Sequence, residues 1–309
     1  MASVIVLGAK GRFGREAAAA FAEAGWIVTR AGRGMTGRGC VDVDVTDAVA
    51  LTRACAGMDV IVNAVNPRYH HWARTVPEIT RAVIAAAMAS GATVMIPGNV
   101  YNYGRDLPPV LREDTPWVGN TRKGSIRIRM EEAYRDSGVR TIVLRGGDFL
   151  VTEQTGNWFE AHIAPKAHQG KLTYPGPLDQ KHSWAYLPDI ARALVGLAEM
   201  RATFGAFEEF GFEGCTLTGA ELVSYVETII GKPMRVSTLP WFAVRLMGLW
   251  SPLMREVIEM RYLWQRPHAI DGAKLRAALP DFQPTPVREV ISACLPEHTE
   301  SYAPRVKTA

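Results

Sequence analysis

The run "SVIVLGAKGRFGREAAAAFAEAG", Ser3 to Gly25, constrains the fold more than any other part of this chain. A β-branched stretch leads into a turn carrying Gly8, Gly11 and Gly14, and an alanine-rich helix follows, closed by Gly25. Strand, glycine turn and helix in that order open a parallel α/β sheet and leave the helix N-terminus facing an anion. Gly8 permits the tight turn, Gly11 lets the backbone approach a pyrophosphate, and Gly14 lets the helix pack on the strand. The spacing is GxxGxxG rather than GxGxxG, so the dinucleotide reading rests on the strand before it and the helix after it. Arg12 and Phe13, in the first helical turn, join the three glycines as candidate cofactor contacts.

The next strand, within "WIVTRAGRG", ends where an NAD site would offer a carboxylate to the ribose hydroxyls, and it offers Arg30 and then Arg33. A guanidinium can pair in a fork with a 2′-phosphate that a carboxylate would repel. These arginines therefore favour NADP, with NAD as the alternative cofactor. "CVDVDVT" supplies a third strand with Asp44 at its end, near an adenine edge. "MDVIVNAV" supplies a fourth, ending in Asn63 and Ala64, and these three residues complete the cofactor list.

The chain has 309 residues, 48% hydrophobic and 21% charged, which is the composition of an ordinary globular protein with room for one large domain and a smaller lobe. Its 35 Lys and Arg are dispersed among 31 acids for a formal charge of +4, which argues against a nucleic-acid partner. The densest basic group, Arg122 to Arg129, reads as one face of a helix. Cys40, Cys55, Cys215 and Cys294 lie far apart without metal-ligand or disulfide spacing, so reduced thiols and no metal are expected. "MASVIVLGAK" begins a strand at once, with no basic region before an apolar run, and reads as no signal peptide. "LPWFAVRLMGLW" is interrupted by Arg245 and falls short of the roughly 20 apolar residues that span a bilayer. It reads as a core helix or an apolar lid. A cytoplasmic protein with a small-molecule substrate and no membrane partner is the expectation.

Several segments resemble the short-chain dehydrogenase/reductase superfamily, in particular its extended, epimerase/dehydratase-like branch. The resemblance is carried by "GAKGRFG", "DVT", "NAV", "VMIPGNVYNYG", "VLRGGDF", "HSWAYLPDIARAL" and "FEEFGFEGCTLTGAELVSYV", which cover nearly the whole chain in the family's order. It implies an α/β, doubly wound parallel sheet, Rossmann-like, with a smaller C-terminal substrate lobe over the carboxyl ends of the strands. Residues 1–146 plus about 182–214 are assigned to the dinucleotide-binding domain, and about 147–181 and 215–309 to the substrate lobe. Trp158, Trp241, Trp250 and Trp264 fall in that lobe and suggest an apolar substrate face. "HSWAYLPDIARALVGLAEM" and "FGAFEEFGF" are expected to return to the central sheet, and the terminal "SYAPRVKTA" reads as a loose end. The resemblance also implies a homodimer through the helices after the fourth and fifth strands.

In the resembled family a Ser or Thr after the fifth strand orients a carbonyl, a Tyr exchanges the proton, and a Lys tunes that tyrosine while binding the ribose. Laid on this pattern, "VMIPGNVYNYG" puts Asn99 at the Ser/Thr place and Tyr103 at the tyrosine of the Val-Tyr-Gly ending. "KGSIRIRME" puts Lys123 at the tyrosine, Gly124 at the glycine, Arg127 at the lysine and Glu131 at the acid, so all three central identities differ. An amide can still donate to a carbonyl. A lysine partly desolvated beside another cation can exchange a proton near neutrality, which makes Lys123 the candidate acid. Arg127, one turn further on, cannot deprotonate and becomes the candidate ribose or phosphate contact. Tyr101 and Tyr103 share one face if the strand continues, and either could replace the tyrosine. His70, His71, His182 and Asp148 are further candidates, each as a substrate contact or a structural group.

These residues lead first to an NADP-dependent oxidoreductase acting on a carbonyl or hydroxyl group of a small molecule, with an altered proton donor. The branch also implies an NAD-dependent sugar-nucleotide epimerase or dehydratase, which the arginines after the second strand fit less well. Loss of the Tyr/Lys pair equally suits a non-catalytic NADP-binding redox sensor, since a fold alone does not carry a function.

Overall fold

The computed structural model describes residues 1–153 and 156–296, so the terminal 301–309 segment lies outside the described residues. The first strands are β1 (Ser3–Leu7), β2 (Ile27–Gly32), β3 (Cys40–Asp42), β4 (Val60–Asn63) and β5 (Thr93–Gly98). They are followed by β6 (Val110–Leu111), β7 (Thr141–Arg145), β8 (Asp148–Leu150), β9 (Lys171–Tyr174) and β10 (Lys181–Tyr186). The last are β11 (Phe207–Gly211), β12 (Cys215–Thr218), β13 (Arg235–Thr238) and β14 (Ala269–Ile270). The helices are α1 (Arg12–Glu23), α2 (Ala48–Ala54), α3 (Trp72–Ser90), α4 (Arg122–Asp136) and α5 (Leu187–Glu199). α6 (Gly219–Ile230), α7 (Trp241–Met247), α8 (Pro252–Glu259), α9 (Ala273–Ala278) and α10 (Val287–Cys294) complete them.

The central sheet has seven parallel strands in the order β11-β7-β5-β4-β1-β2-β3. Parallel pairing requires crossover helices on both faces, and strands so covered are apolar on both sides. β1 shows this: Val4 and Val6 pack with Phe21 of α1 and Leu194 of α5, while Ile5 and Leu7 pack with Val83 of α3 and Tyr134 of α4. All four β1 side chains are fully buried, each worth about 1.5–3 kcal/mol relative to exposure. The alanine run of α1 turns Ala17, Ala18, Ala20 and Phe21 inward, where small residues let the helix lie close to the sheet.

A third buried cluster, including Leu150, Phe159, Trp184, Leu217, Val226, Trp241, Trp264 and Ile291, forms the core of the smaller lobe. Part of the expectation for the later strands needs correcting. β11 does return to the central sheet, beside β7, but β10 pairs with β8 and β12 in a separate three-stranded sheet. β5 and β11 occupy the two sides of β7, and β10 pairs instead with β8, the strand that leaves the central sheet directly after β7. Gly147 makes the step from β7 into this second sheet, since a Cβ there would meet the Ser183 carbonyl oxygen at 2.1 Å.

Candidate active site

β1 and β4 are neighbours whose following helices cover opposite faces of the sheet, so a crevice opens beyond their carboxyl ends. Gly8 sits there at φ +74°, and a Cβ on it would meet the Ala64 backbone at 3.1 Å. A Cβ on Gly14 would lie 2.3 Å from the Gly8 carbonyl oxygen, which is why helix and turn can touch only through glycine. Gly11 caps α1 with no side-chain hydrogen bond, so the first-turn amides of Arg12, Phe13 and Gly14 have no acceptor within the helix. A bare cradle of backbone donors at a helix N-terminus fits a dinucleotide pyrophosphate. Phe13 is buried and stacks on Phe149 at 6.2 Å, so its side chain holds the turn against the other lobe.

At the adenosine end the register moves one assignment. Arg30 lies within β2, opposite Val6 and Cys40, and its guanidinium reaches the Arg38 carbonyl at 3.5 Å. The strand ends two residues later at Gly32, where a Cβ would meet only Met35 Cγ at 3.8 Å, and Arg33 follows. Lys10 Nζ donates to the Arg33 and Gly34 carbonyls, both at 2.8 Å, and so brings a second cation to this end. Asp42, opposite Gly32, accepts the Gly34 N–H at 2.7 Å. Asp44 lies two residues beyond β3, and hydrogen bonds from the Thr46 amide and hydroxyl hold its carboxyl below the usual range. Asn63 is buried at the end of β4 and donates to Tyr134 Oη at 3.1 Å, tying β4 to α4, while the Ala64 amide donates to the Leu7 carbonyl.

The carboxyl end of β5 rests on a buried charge network that sequence reasoning missed. Arg145 Nε donates to Glu209 at 2.6 Å and its Nη2 to Glu131 at 2.7 Å, with Nη1 on the Asn99 carbonyl. Gly98 makes room for this crossing, since a Cβ there would meet Arg145 Cα at 3.0 Å. Glu131 also accepts from Asn102 at 2.9 Å and from Arg127 at 3.4 Å. Arg127 Nη2 donates to the Pro97 carbonyl at 2.9 Å, while its buried Nε has no acceptor among the described residues. Burial lowers the Arg127 pKa, and Glu131 opposes that shift. Asn99 accepts the Tyr101 amide through Oδ1 at 3.1 Å, with no described partner on its side-chain NH2. The signal for this network was present as Glu131 at its family position, but Arg145 and Glu209 were hidden inside strands.

Two proton-donor candidates occupy other roles. Lys123 is 1% exposed, and its ammonium meets the Glu256 carboxylate and carbonyl and, at 2.7 Å, the Glu259 carboxylate. It was expected to stand beside another cation; it stands between two carboxylates of α8, with all three donors taken. Lys123 thus clamps α8 to the start of α4. Tyr103 also leaves the candidate set, because the one hydrogen of its hydroxyl is shared between Glu209 at 3.2 Å and the Arg112 carbonyl at 3.3 Å inside the core. The shared face expected for Tyr101 and Tyr103 required the strand to continue. β5 ends at Gly98, and Val100–Tyr103 forms a 3-10 turn that sends the rings apart.

Tyr101 instead meets Tyr69, hydroxyl to hydroxyl at 3.2 Å. Burial raises the pKa of both phenols, Tyr101 well above the usual 10, and the Asp148 carboxylate adds to the rise in each. Tyr69 lay unremarked in "NPRYHHW"; the adjacent His70 and His71 rings contact each other at 4.0 Å in the turn that opens α3. Asp148 starts β8 and its carboxylate accepts from His182 Nε2 at 2.9 Å, and the His182 ring lies parallel to Trp264 at 4.1 Å. Its Nδ1 is 3.3 Å from the Leu263 carbonyl, which fixes the imidazole at both nitrogens. Among the described residues no group of three His, Cys, Asp or Glu side chains could hold a metal ion.

Comparison with known proteins agrees with this fold. The fold is similar to UDP-N-acetylglucosamine 4-epimerase from Bacillus cereus, at 14% identity and a TM-score of 0.74 over 94% of each chain. It is similar to UDP-glucose 4-epimerase from Bifidobacterium longum, solved with NAD+ and UDP, at 15% identity and a TM-score of 0.71 over 94% of this chain and 96% of that one. A nucleoside-diphosphate-sugar epimerase from Pseudomonas aeruginosa matches at 17% identity and a TM-score of 0.69, covering 95% and 96%. No curated protein matches the sequence significantly. The NAD dependent epimerase/dehydratase family matches residues 4–210, the whole span of the parallel sheet but for the first residue of β1 and the last of β11. With the glycine cradle at the sheet's switch point, that match makes this chain a member of the NAD-dependent epimerase/dehydratase family, an NAD(P)-dependent enzyme.

Proposed function

We propose that the chain is an NADP-preferring oxidoreductase acting on a carbonyl or hydroxyl group of a small molecule, with Tyr101 as proton donor in place of a tyrosine on α4. The observation that carries this reading is the end of β5, where the Asn99 amide, the Arg127 Nε and the Tyr101–Tyr69 hydroxyl pair stand together. Bound in the Gly8–Gly14 cradle, a nicotinamide dinucleotide supplies hydride transfer. Asn99 Nδ2 is free to donate to a substrate carbonyl oxygen. As that oxygen becomes an alkoxide, Tyr101 Oη gives it a proton, and Tyr69 Oη holds the phenol in place. Carbonyl reduction needs a donor that carries its proton at neutral pH, which a phenol does. Arg127 offers its remaining donors to a ribose or phosphate oxygen. Asp148, steadied by His182, can accept from a substrate hydroxyl, and Trp158 and Trp264, edge to face at 5.2 Å, supply an apolar wall.

The names of the structural neighbours favour a second reading, NAD-dependent epimerisation of a sugar nucleotide. Incubation with NADPH and a panel of aldehydes, ketones and quinones, followed by absorbance of the reduced nicotinamide, tests the first. Tyr101→Phe is expected to reduce turnover by about 10²–10⁴-fold with NADP affinity unchanged. Full activity in that variant would move the proton donor elsewhere. Epimerisation of UDP-glucose without NADPH consumption would establish the second reading, and tight NADPH binding with no turnover would leave a sensor.

A further inference from the structure

The stretch "LPWFAVRLMGLW" is neither a core helix nor a covered lid. α7 and α8 form a hairpin joined through Gly248–Ser251, with an inner side and an outer side. Trp241 and Val244 are buried in the third cluster, and Met254, Val257 and Ile258 pack against it. The outer side carries Phe242 at 75% exposure, Trp250 at 80%, and exposed Leu246, Met247, Leu249 and Leu253. Phe242 and Leu246 lie four apart on α7, Leu249 and Trp250 sit in the turn, and Leu253 is in the first turn of α8, so the exposed apolar side chains run from α7 through the connection into α8. A contiguous apolar patch of this kind marks an interaction surface.

The hairpin is firmly built. Gly248 allows the helices to touch, since a Cβ there would meet Ile258 Cδ1 at 2.8 Å. Trp241 Nε1 donates to the Pro175 carbonyl at 2.7 Å, and Ser251 caps α8. At its base, Glu256 and Glu259 hold Arg122 and Lys123 of α4. The turn that carries Leu249 and Trp250 is therefore held between two anchored helices.

Charge identifies the occupant. From Thr228 to Arg255 the chain contains Lys232, Arg235, Arg245 and Arg255 and no Asp or Glu, although the whole chain has 31 acids in 309 residues. Arg245 of α7 and Arg255 of α8 lie on the hairpin itself, and both are exposed. A second copy seated symmetrically on this patch would bring basic rim against basic rim, which like-charge repulsion opposes. An anionic lipid surface complements both features, with aromatic and aliphatic side chains entering the headgroup boundary and arginines meeting phosphates. No described helix is long and apolar enough to cross a membrane, and helices of 7 and 8 residues suit shallow entry instead. We propose that the α7–α8 hairpin seats the protein on the surface of an anionic bilayer.

The test is flotation of the full chain with vesicles of phosphatidylcholine alone and of phosphatidylcholine mixed with phosphatidylserine. Binding to the mixed vesicles, weakened by added salt, is expected. The double variant Phe242→Ser/Trp250→Ser should lower that binding at least about tenfold, with an unchanged melting temperature because both side chains are exposed. Arg245→Gln/Arg255→Gln should reduce binding to mixed vesicles toward the level seen on phosphatidylcholine alone. Absence of wild-type flotation, or equal flotation of the Phe242/Trp250 variant, would overturn the proposal. So would a dimer in solution that this variant converts to monomer without any vesicle binding, which would assign the patch to a second copy.

Discussion

Gly8, Gly11 and Gly14 act by lacking side chains, whereas Lys123, Arg127, Glu131 and Arg145 act through charges taken out of water. In the crevice beyond β1 and β4, the groups left open are backbone amides, and the glycines only keep space open for them. On the face of α4, each side chain has a meaning only with its partners, which come from β5, β7, β11 and α8. The first kind of site depends on local chain geometry. The second depends on the finished tertiary structure, and it should respond to substitution through stability before it responds through binding.

Arg145→Met gives the largest effect by which this contrast can be broken. It would leave Glu131 and Glu209 buried without their main partner, and removal of one side of a buried ion pair costs about 3–5 kcal/mol. Urea unfolding should show that loss. An unchanged midpoint would mean that the carboxylates are neutral or hydrated and that the network is not held by charge.

Lys123→Met sharpens the comparison from the lobe side. Glu256 and Glu259 would then lose the ammonium between them and keep only the half-exposed Arg122 on Glu256, at an expected cost of about 3 kcal/mol. The triple variant Lys123→Met/Glu256→Gln/Glu259→Gln should recover most of it, since neutral partners remove the unpaired charge. Turnover measured alongside the melts separates the two roles for this lysine. Loss of activity at an unchanged melting temperature would restore Lys123 as a participant in proton transfer.

The same contrast explains how far the sequence could be read. The parallel sheet, its switch point and the glycine cradle were legible because strand, turn and helix are contiguous in Ser3–Glu23. Lys123 was legible only as a position, because its carboxylate partners lie 133 and 136 residues further along. Tyr103 was placed on a continuing strand although Pro97-Gly98, a turn dipeptide, marks where β5 stops. Tyr69 drew no notice beside two histidines, and its partnership with Tyr101 is a contact between lobe-facing turns. Gly147 could have been noticed in "RGGDF", as a glycine pair marking close backbone passage.

On the backbone side, Gly11→Val is expected to weaken dinucleotide binding by about a hundredfold or more while the protein stays folded. Among the described residues beyond its chain neighbours, a Cβ would meet the Gly8 carbonyl oxygen alone, at 3.1 Å, so the added side chain would project into the space proposed for a pyrophosphate. Calorimetric titration with NADP(H), paired with a thermal melt, checks both halves. Retained affinity would show that the turn is structural alone.

The smallest effect lies where the backbone cradle gives way to side-chain recognition, at the end of β2. Arg33 follows Gly32, a position with no side chain to crowd a ribose, and Lys10 bonds to the Arg33 carbonyl from the glycine turn. Arg30 is two residues further back and leans on the Arg38 carbonyl. If a 2′-phosphate is met here, Arg33→Asp should lower the preference for NADP over NAD by about tenfold, and Arg30→Asp by less. Both groups are exposed, so the preference itself should shrink as salt is raised. Titrations of each variant with NADP and NAD at low and high ionic strength give the ratios. A larger effect from Arg30→Asp would place the phosphate over the strand rather than beyond it. Equal affinity of the unmodified protein for the two cofactors would remove the phosphate from this site, and would turn the balance toward the NAD-dependent epimerase reading.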